Sequence, residues 1–265
     1  MEILGYILAI LMGLILGLIG AGGSILTVPI LVYLLGVKPI VATGYSLLVV
    51  GCAAFAGAIR YWRNDLVNMK AVLLFAVPAM LTVLTTRTFI VPAIPDLLLG
   101  VPKDIFIMLL FAVLMILAAG FMLRPAKVVP NRSHTLTFGH AVKLIFGSAG
   151  VGLLTGMVGA GGGFLIIPTL IALFGLSMKE AIGTSLAIIA INSLVGFNGD
   201  IAVGIPLDWQ LIITFLSLTL LGMWLGTTLS KRFEGQKLKK LFGVFTLLIG
   251  LAVLTEEMYA LFNVN

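Results

Sequence analysis

The sequence predicts an all-α integral membrane protein made of two inverted-topology repeats of about five helical segments each, with glycine-broken helices at the repeat core. Three observations predict it. Hydrophobic residues fill 61% of the 265 positions and charged residues 10%, a balance far from that of soluble globular chains. Sliding the chain by 139 positions pairs 17–47 with 156–186 without a gap, and 14 of those 31 positions are identical. Basic residues, which stay on the cytoplasmic side of a membrane, collect in alternating loops.

The apolar segments follow in order. The first repeat carries 3–19, 24–35, 40–58, 71–86 and 105–123, and the second carries 144–158, 163–174, 180–197, 209–230 and 241–255. The uncharged runs 39–59, 105–123 and 209–230 each approach the roughly 20 residues that cross a bilayer core as helix. Segments 24–35 and 163–174 are about a dozen residues, some 18 Å of helix, and read as half-helices. The domains are therefore a first repeat over 1–123, a cytoplasmic basic linker over 124–143 and a second, inverted repeat over 144–265. The start, Met1-Glu2, has no basic n-region, so the first segment is expected to remain in the protein.

Loop charge orients the segments. Loop 59–70 holds Arg60, Arg63 and Lys70; the linker holds Arg124, Lys127, Arg132 and Lys143; loop 231–240 holds Lys231, Arg232, Lys237, Lys239 and Lys240. Loop 198–208 has Asp200 and Asp208 and no basic residue, and the C-terminal region has Glu256 and Glu257. The loop after the third segment is thus cytoplasmic in one half and external in the other. Both termini are expected outside the cytoplasm, in a multi-pass protein of the bacterial inner membrane.

Two glycine hinges, Gly20-Ala21-Gly22-Gly23 and Gly159-Ala160-Gly161-Gly162, occupy matched positions in that register. Consecutive glycines cost a helix about 1 kcal/mol each relative to alanine. Unwound backbone at membrane depth is tolerated only when buried in protein or lining a cavity. A helix restarting at Ser24 or Gly163 exposes backbone N–H groups and its positive dipole end, which favour an anion. Two such starts from inverted halves are expected near the midplane around one small anion. The pairs Gly13/Gly17, Gly152/Gly156 and Gly222/Gly226 read equally well as close helix packing.

Further candidates lie on the third segments. Thr43, Tyr45 and Ser46 stand opposite Thr184 and Ser185; their hydroxyls either meet ligand oxygens or bond the preceding turn. Ser177 and Glu180 fit a capping box. Asn192 is an amide at membrane depth where its first-half counterpart is Ala53, and such a group is costly unless paired. Arg87 follows Thr82, Thr85 and Thr86 and precedes an apolar stretch; it either clamps an oxyanion bidentately or snorkels to head groups.

Absences bound the chemistry. Apart from Glu180 at the very start of segment 180–197, the predicted spans contain no Asp or Glu, so proton coupling would fall to Glu180, Asp200, His134, His140 or the ligand's own acid group. An anion leaving an inside-negative cell gains about 2.3 kcal/mol per charge per 100 mV, so export runs without a coupling ion and uptake needs one. Neither HExxH nor GxSxG occurs, and the single Cys52 offers no disulfide. No catalytic residues, metal or cofactor are expected. The partners expected are a small anion, possible coupling protons and lipid, with no nucleic acid. An anion channel is the main rival to a transporter.

Paired G-A-G-G hinges, each followed by a proline-bearing half-segment (Pro29, Pro168) and then A-x-G-x-S-L, resemble the TauE/SafE sulfite exporter family, the toluene sulfonate uptake permeases. The resemblance spans nearly the whole chain. It implies secondary transport of sulfite, sulfonate, sulfoacetate or thiosulfate-type anions by alternating access, with non-sulfur carboxylates as an alternative. It carries the family's glycine motifs onto Gly20–Ser24 and Gly159–Gly163. The small-residue pattern 222–226 also fits, but the first half has Arg87 at that place, which breaks the symmetry.

Overall fold

A computed structural model describes residues 2–20, 23–98, 100–123, 138–159, 161–230 and 235–264. Helix α1 covers Glu2–Ile19 and α2 covers Ser24–Leu34, turning π-helical at Ile30–Leu34. Helix α3 is Pro39–Trp62, with proline in its first turn; α4 runs Met69–Ala93 through a π-helical turn at Thr86–Ile90, and α5 is Lys103–Leu123. The second half supplies α6 Phe138–Val158, α7 Gly163–Phe174, α8 Met178–Val203, α9 Trp209–Leu229 and α10 Gly235–Val264. Six of these helices hold stretches long and apolar enough to cross a membrane. A two-residue antiparallel pair, Leu97–Leu98 with Val101–Pro102, links α4 to α5.

Helix ends follow local chemistry. Asn68 and Asp208 cap α4 and α9 by accepting from the Ala71 and Leu211 N–H groups, and Ser177 with Glu180 forms a capping box on α8. Two ends differ from expectation. Helix α4 continues past residue 86 because the π turn absorbs an extra residue without breaking the helix. Helix α8 continues past 197 through Asn198-Gly199-Asp200, a run that reads as a turn, until Gly204 closes it at φ +80°. There the Asn198 amide donates to the Leu194 carbonyl at 2.8 Å, and the Asp200 charge is met by Arg87. A carboxylate therefore does lie within a membrane-length helix, contrary to the sequence expectation.

The helices pack by exchange. Helix α1 lies on α9, α6 on α4, α3 on α8 and α5 on α10. Under the 139-residue register α6 to α10 are the counterparts of α1 to α5, so the α1–α9 contact mirrors the α6–α4 contact. Helices α3 and α8 run antiparallel: Gly44 lies by Asp200, Gly196 by Leu47, Gly51 by Leu194 and Gly57 by Leu186. Small residues set the spacing. A Cβ at Gly13 would strike the Thr219 carbonyl, at Gly222 the Ile10 carbonyl and at Gly152 the Ala79 carbonyl. Lipid tails are as apolar as leucine, so such close backbone approach, rather than water exclusion, holds membrane helices together. Ile3, Phe146, Trp224 and Phe262 face outward.

Candidate functional site

Each glycine break docks its first glycine on the other half. Gly159 takes φ +72° and Gly20 φ +78°, conformations that favour glycine. The Ser46 hydroxyl donates to the Gly159 carbonyl at 2.7 Å, and the Ser185 hydroxyl donates to the Gly20 carbonyl at 3.1 Å. The two bonds are equivalents under the 139-residue register.

These contacts lie at opposite ends of the α3–α8 pair. Gly159 abuts Thr43 near the start of α3, while Gly20 abuts Ile182 near the start of α8, whose neighbour Gly183 lies by Tyr61. Thr43 and Tyr61 are roughly 27 Å apart along α3 at 1.5 Å per residue. The first glycines of the hinges thus do not share one midplane cavity. Beyond Gly159 the chain returns toward the middle of the pair, where Gly161 lies against Val50, Ile189 and Ser193. Ala21, Gly22 and Ala160 lie outside the described residues, as does most of the basic linker.

A run of polar groups follows the second hinge. Gly162, at φ +67°, presses on the Thr155 hydroxyl and precedes α7, whose N-terminus at Gly163 has no side-chain cap. Among the described residues, Thr155 Oγ1, Ser193 Oγ and both amide atoms of Asn192 are buried without a hydrogen-bond partner. Ser193 and Asp200 are seven residues apart on one face of α8, about 10 Å. Leaving a buried polar group unmet costs about 1–3 kcal/mol, so such a cluster in apolar surroundings needs an explanation.

Arg87 anchors the outer end of this run. It is 1% exposed, so it does not snorkel to head groups. Its Nη1 donates to Thr43 Oγ1 at 3.0 Å and contacts Asp200 Oδ1 at 3.2 Å. Among the described residues, Nε and Nη2 of Arg87, Oδ2 of Asp200 and Oγ1 of Thr86 have no hydrogen-bond partner. The π turn carries Arg87, and Gly199 makes room for it: a Cβ at Gly199 would come within 2.9 Å of the Arg87 Cβ. The Thr43 hydroxyl serves two roles, donating to the Ile40 carbonyl at 2.7 Å while accepting from Arg87.

Among the described residues, the first hinge has no such run. In the repeat register its counterparts to Thr155, Asn192, Ser193 and Thr43 are Leu16, Ala53, Ala54 and Ile182. Gly23 is right-handed helical and packs on the Met12 carbonyl and Leu16, and Ser24 is buried. Tyr45 and Thr184 are occupied elsewhere. The Tyr45 hydroxyl accepts from the Asp208 N–H at 2.7 Å and donates to the Pro206 carbonyl, and Thr184 Oγ1 accepts from the Asn68 N–H at 3.0 Å. Each ties its helix to the start of the other half's fourth helix.

A family model described as sulfite exporter TauE/SafE matches residues 6–253. The chain belongs to the TauE/SafE sulfite exporter family. It is 32% identical over 258 residues to a probable membrane transporter protein of Xylella fastidiosa (strain 9a5c), covering 95% of this chain and 94% of that one. It is 30% identical over 247 residues to the probable membrane transporter protein YdhB of Bacillus subtilis (strain 168), covering 92% and 96%. No solved structure matches. Family and helices together make it a multi-pass membrane transport protein.

In this TauE/SafE chain, Arg87, Thr43 and the glycines 159 and 161–163 gather along the second hinge, and Asn192 is buried next to Ser193 in the sequence of α8. Gly20, Gly23, Ser24 and Ser185 belong to the first. Thr155, Ser193 and Asp200 join the second group without having been singled out as binding residues. The signal that exposes them is the one that marks Asn192: a polar residue where the other repeat has an apolar or aromatic one, Leu16, Ala54 and Tyr61.

Proposed function

We propose that this protein is a secondary transporter of small organosulfur anions of the sulfite, sulfonate, sulfoacetate or thiosulfate type, working by alternating access between inverted halves of the bacterial inner membrane. The observation that carries the reading is Arg87, a fully buried arginine with two nitrogens that have no partner among the described residues, as Asn192, Ser193 and Thr155 also have none. Guanidinium donors form a fork that matches a tetrahedral oxyanion. The amide and hydroxyls and the uncapped start of α7 extend that donor set inward.

The antiparallel α3–α8 pair and the exchanged contacts support inversion, since the counterparts α3 and α8 point in opposite directions. Loop charge supports repeats at 1–123 and 144–265 around a cytoplasmic linker, with both termini outside.

The test is a thermal-shift panel of sulfite, thiosulfate, sulfoacetate, methanesulfonate and simple carboxylates on the purified protein. Sulfur oxyanions should stabilise the wild type, and Arg87→Gln should weaken their binding at least tenfold, about 1.4 kcal/mol. Equal affinity in both would remove Arg87 from the site. Saturable counterflow of the stabilising anion in proteoliposomes should be present; its absence would favour a channel.

A further inference from the structure

The ion pair at the outer end of the polar run is incomplete on both sides. Arg87 and Asp200 meet through one nitrogen and one oxygen at 3.2 Å, whereas the fork of an arginine and the two oxygens of a carboxylate commonly engage in parallel. Among the described residues, Arg87 Nε and Nη2 and Asp200 Oδ2 have no partner although both residues are almost fully enclosed, at 1% and 3% exposure. Nitrogens that a carboxylate would ordinarily use are thus left over for another anion.

Charge arithmetic then constrains what happens when one arrives. Arg87 and Asp200 together are neutral. Adding a monoanion leaves one uncompensated negative charge in a site closed to water, and removing one partner from a buried pair costs about 3–5 kcal/mol. Arg87 cannot give up its charge. The group able to restore neutrality is the carboxylate, by taking a proton.

We infer that Asp200 carries the coupling proton of this transporter, pairing with Arg87 in the empty site and becoming protonated when the anion takes its place. This rests on Arg87 being the anion's anchor. The proton comes from water on the side to which the site is open and adds to Asp200 Oδ2. It returns to water on the other side when the anion departs and Arg87 pairs again with the carboxylate. For a monoanion each cycle moves no net charge, so the pH gradient drives it and the membrane voltage does not.

The surroundings leave Asp200 free for this role. Arg87 of α4 is the charged group in contact with it, with Thr88 beside Gly199 one residue away. Helix α3 brings Thr43 and Gly44, and a Cβ on Gly44 would come within 3.0 Å of Oδ2. In the adjoining segments, the Tyr45 hydroxyl and Asp208 are already engaged, Tyr45 with the Asp208 N–H and the Asp208 carboxylate with the α9 cap.

The experiment titrates purified full-length protein with methanesulfonate, which does not itself titrate, by calorimetry in buffers of different ionisation enthalpy. The wild type should take up close to one proton per anion bound, and affinity should fall about tenfold per pH unit on the alkaline side, the slope of one linked proton. Asp200→Asn should bind with no proton uptake and lose that slope. If Asp200→Asn is too unstable to purify, Arg87→Gln/Asp200→Asn, which removes both charges, should fold but fail to bind, and the wild-type proton count stands alone as the test. Wild-type binding without proton uptake, or uptake retained in Asp200→Asn, overturns the inference while leaving the anion site intact. Failure of methanesulfonate, sulfite, thiosulfate and sulfoacetate all to bind the wild type overturns the site and the inference together.

Discussion

The two glycine hinges begin with the same left-handed turn and differ in what surrounds them. Each turns at a left-handed glycine and docks that glycine's carbonyl on a serine of the other half. Around the second stand Thr155, Asn192, Ser193, Thr43, Arg87 and Asp200; at five of those positions the first repeat's register, or its mirror in the second, gives Leu16, Ala53, Ala54, Ile182 and Tyr61. Duplication supplies the scaffold twice, but the polar groups are installed once. The glycines therefore explain how the halves fit, and the side chains that differ mark the place where we propose the anion binds.

Three pairs of substitutions break or sharpen this contrast, taken from the largest effect down. Arg87→Leu strands a buried carboxylate and should cost about 3–5 kcal/mol, most of it recovered in Arg87→Leu/Asp200→Asn. Arg60, whose Nη1 donates to Thr227 Oγ1 at 2.8 Å at the opposite end of α3, is part-exposed, and Arg60→Leu should cost less than about 1 kcal/mol. Reversible unfolding in mixed micelles measures both; equal losses would erase the difference between the ends.

Asn192→Ala should leave the ligand-free protein as stable as the wild type or more so, because two orphaned atoms disappear, yet abolish stabilisation by sulfonate. The mirror change Ala53→Asn should cost about 1–3 kcal/mol by adding an unmet amide. Thermal melts with and without anion separate these outcomes. A destabilised Asn192→Ala would mean that the amide has a partner in the resting protein.

The smallest effect concerns what the hinges share. Ser46→Ala and Ser185→Ala should each cost about 1 kcal/mol, the usual net value of one hydrogen bond, and by similar amounts. A loss several times larger at one of them would show that the two dockings are not equivalent.

Much of the fold is legible in the sequence because membrane helices announce themselves through uninterrupted apolar length. The segments, the half-length α2 and α7, the capping box at Ser177 and Glu180 and the candidacy of Arg87 follow from local patterns. What escapes is set by distant partners. Residues 198–203 read as a loop because Asn-Gly-Asp favours turns, and only Arg87, 113 positions away, lets Asp200 stay within a helix. Thr155 and Ser193 are ordinary hydroxyls in apolar segments; they stand out once set against Leu16 and Ala54. The separation of the first glycines to opposite ends of α3 and α8 depends on antiparallel packing that loop charge alone does not fix.

The exchange of partners between halves also governs how the protein is made. Helix α1 is synthesised first, but the Gly222 backbone that receives its Ile10 carbonyl and the Ser185 hydroxyl that satisfies Gly20 emerge much later. At roughly 5–20 residues per second, the two hundred or so intervening residues take on the order of 10–40 s. Until Ser185 is made, the nascent first hairpin holds a glycine carbonyl whose serine donor does not yet exist. Truncation before α8 would leave that hairpin undocked for good, so premature stops in α6 or α7 should yield rapidly degraded fragments rather than stable half-transporters.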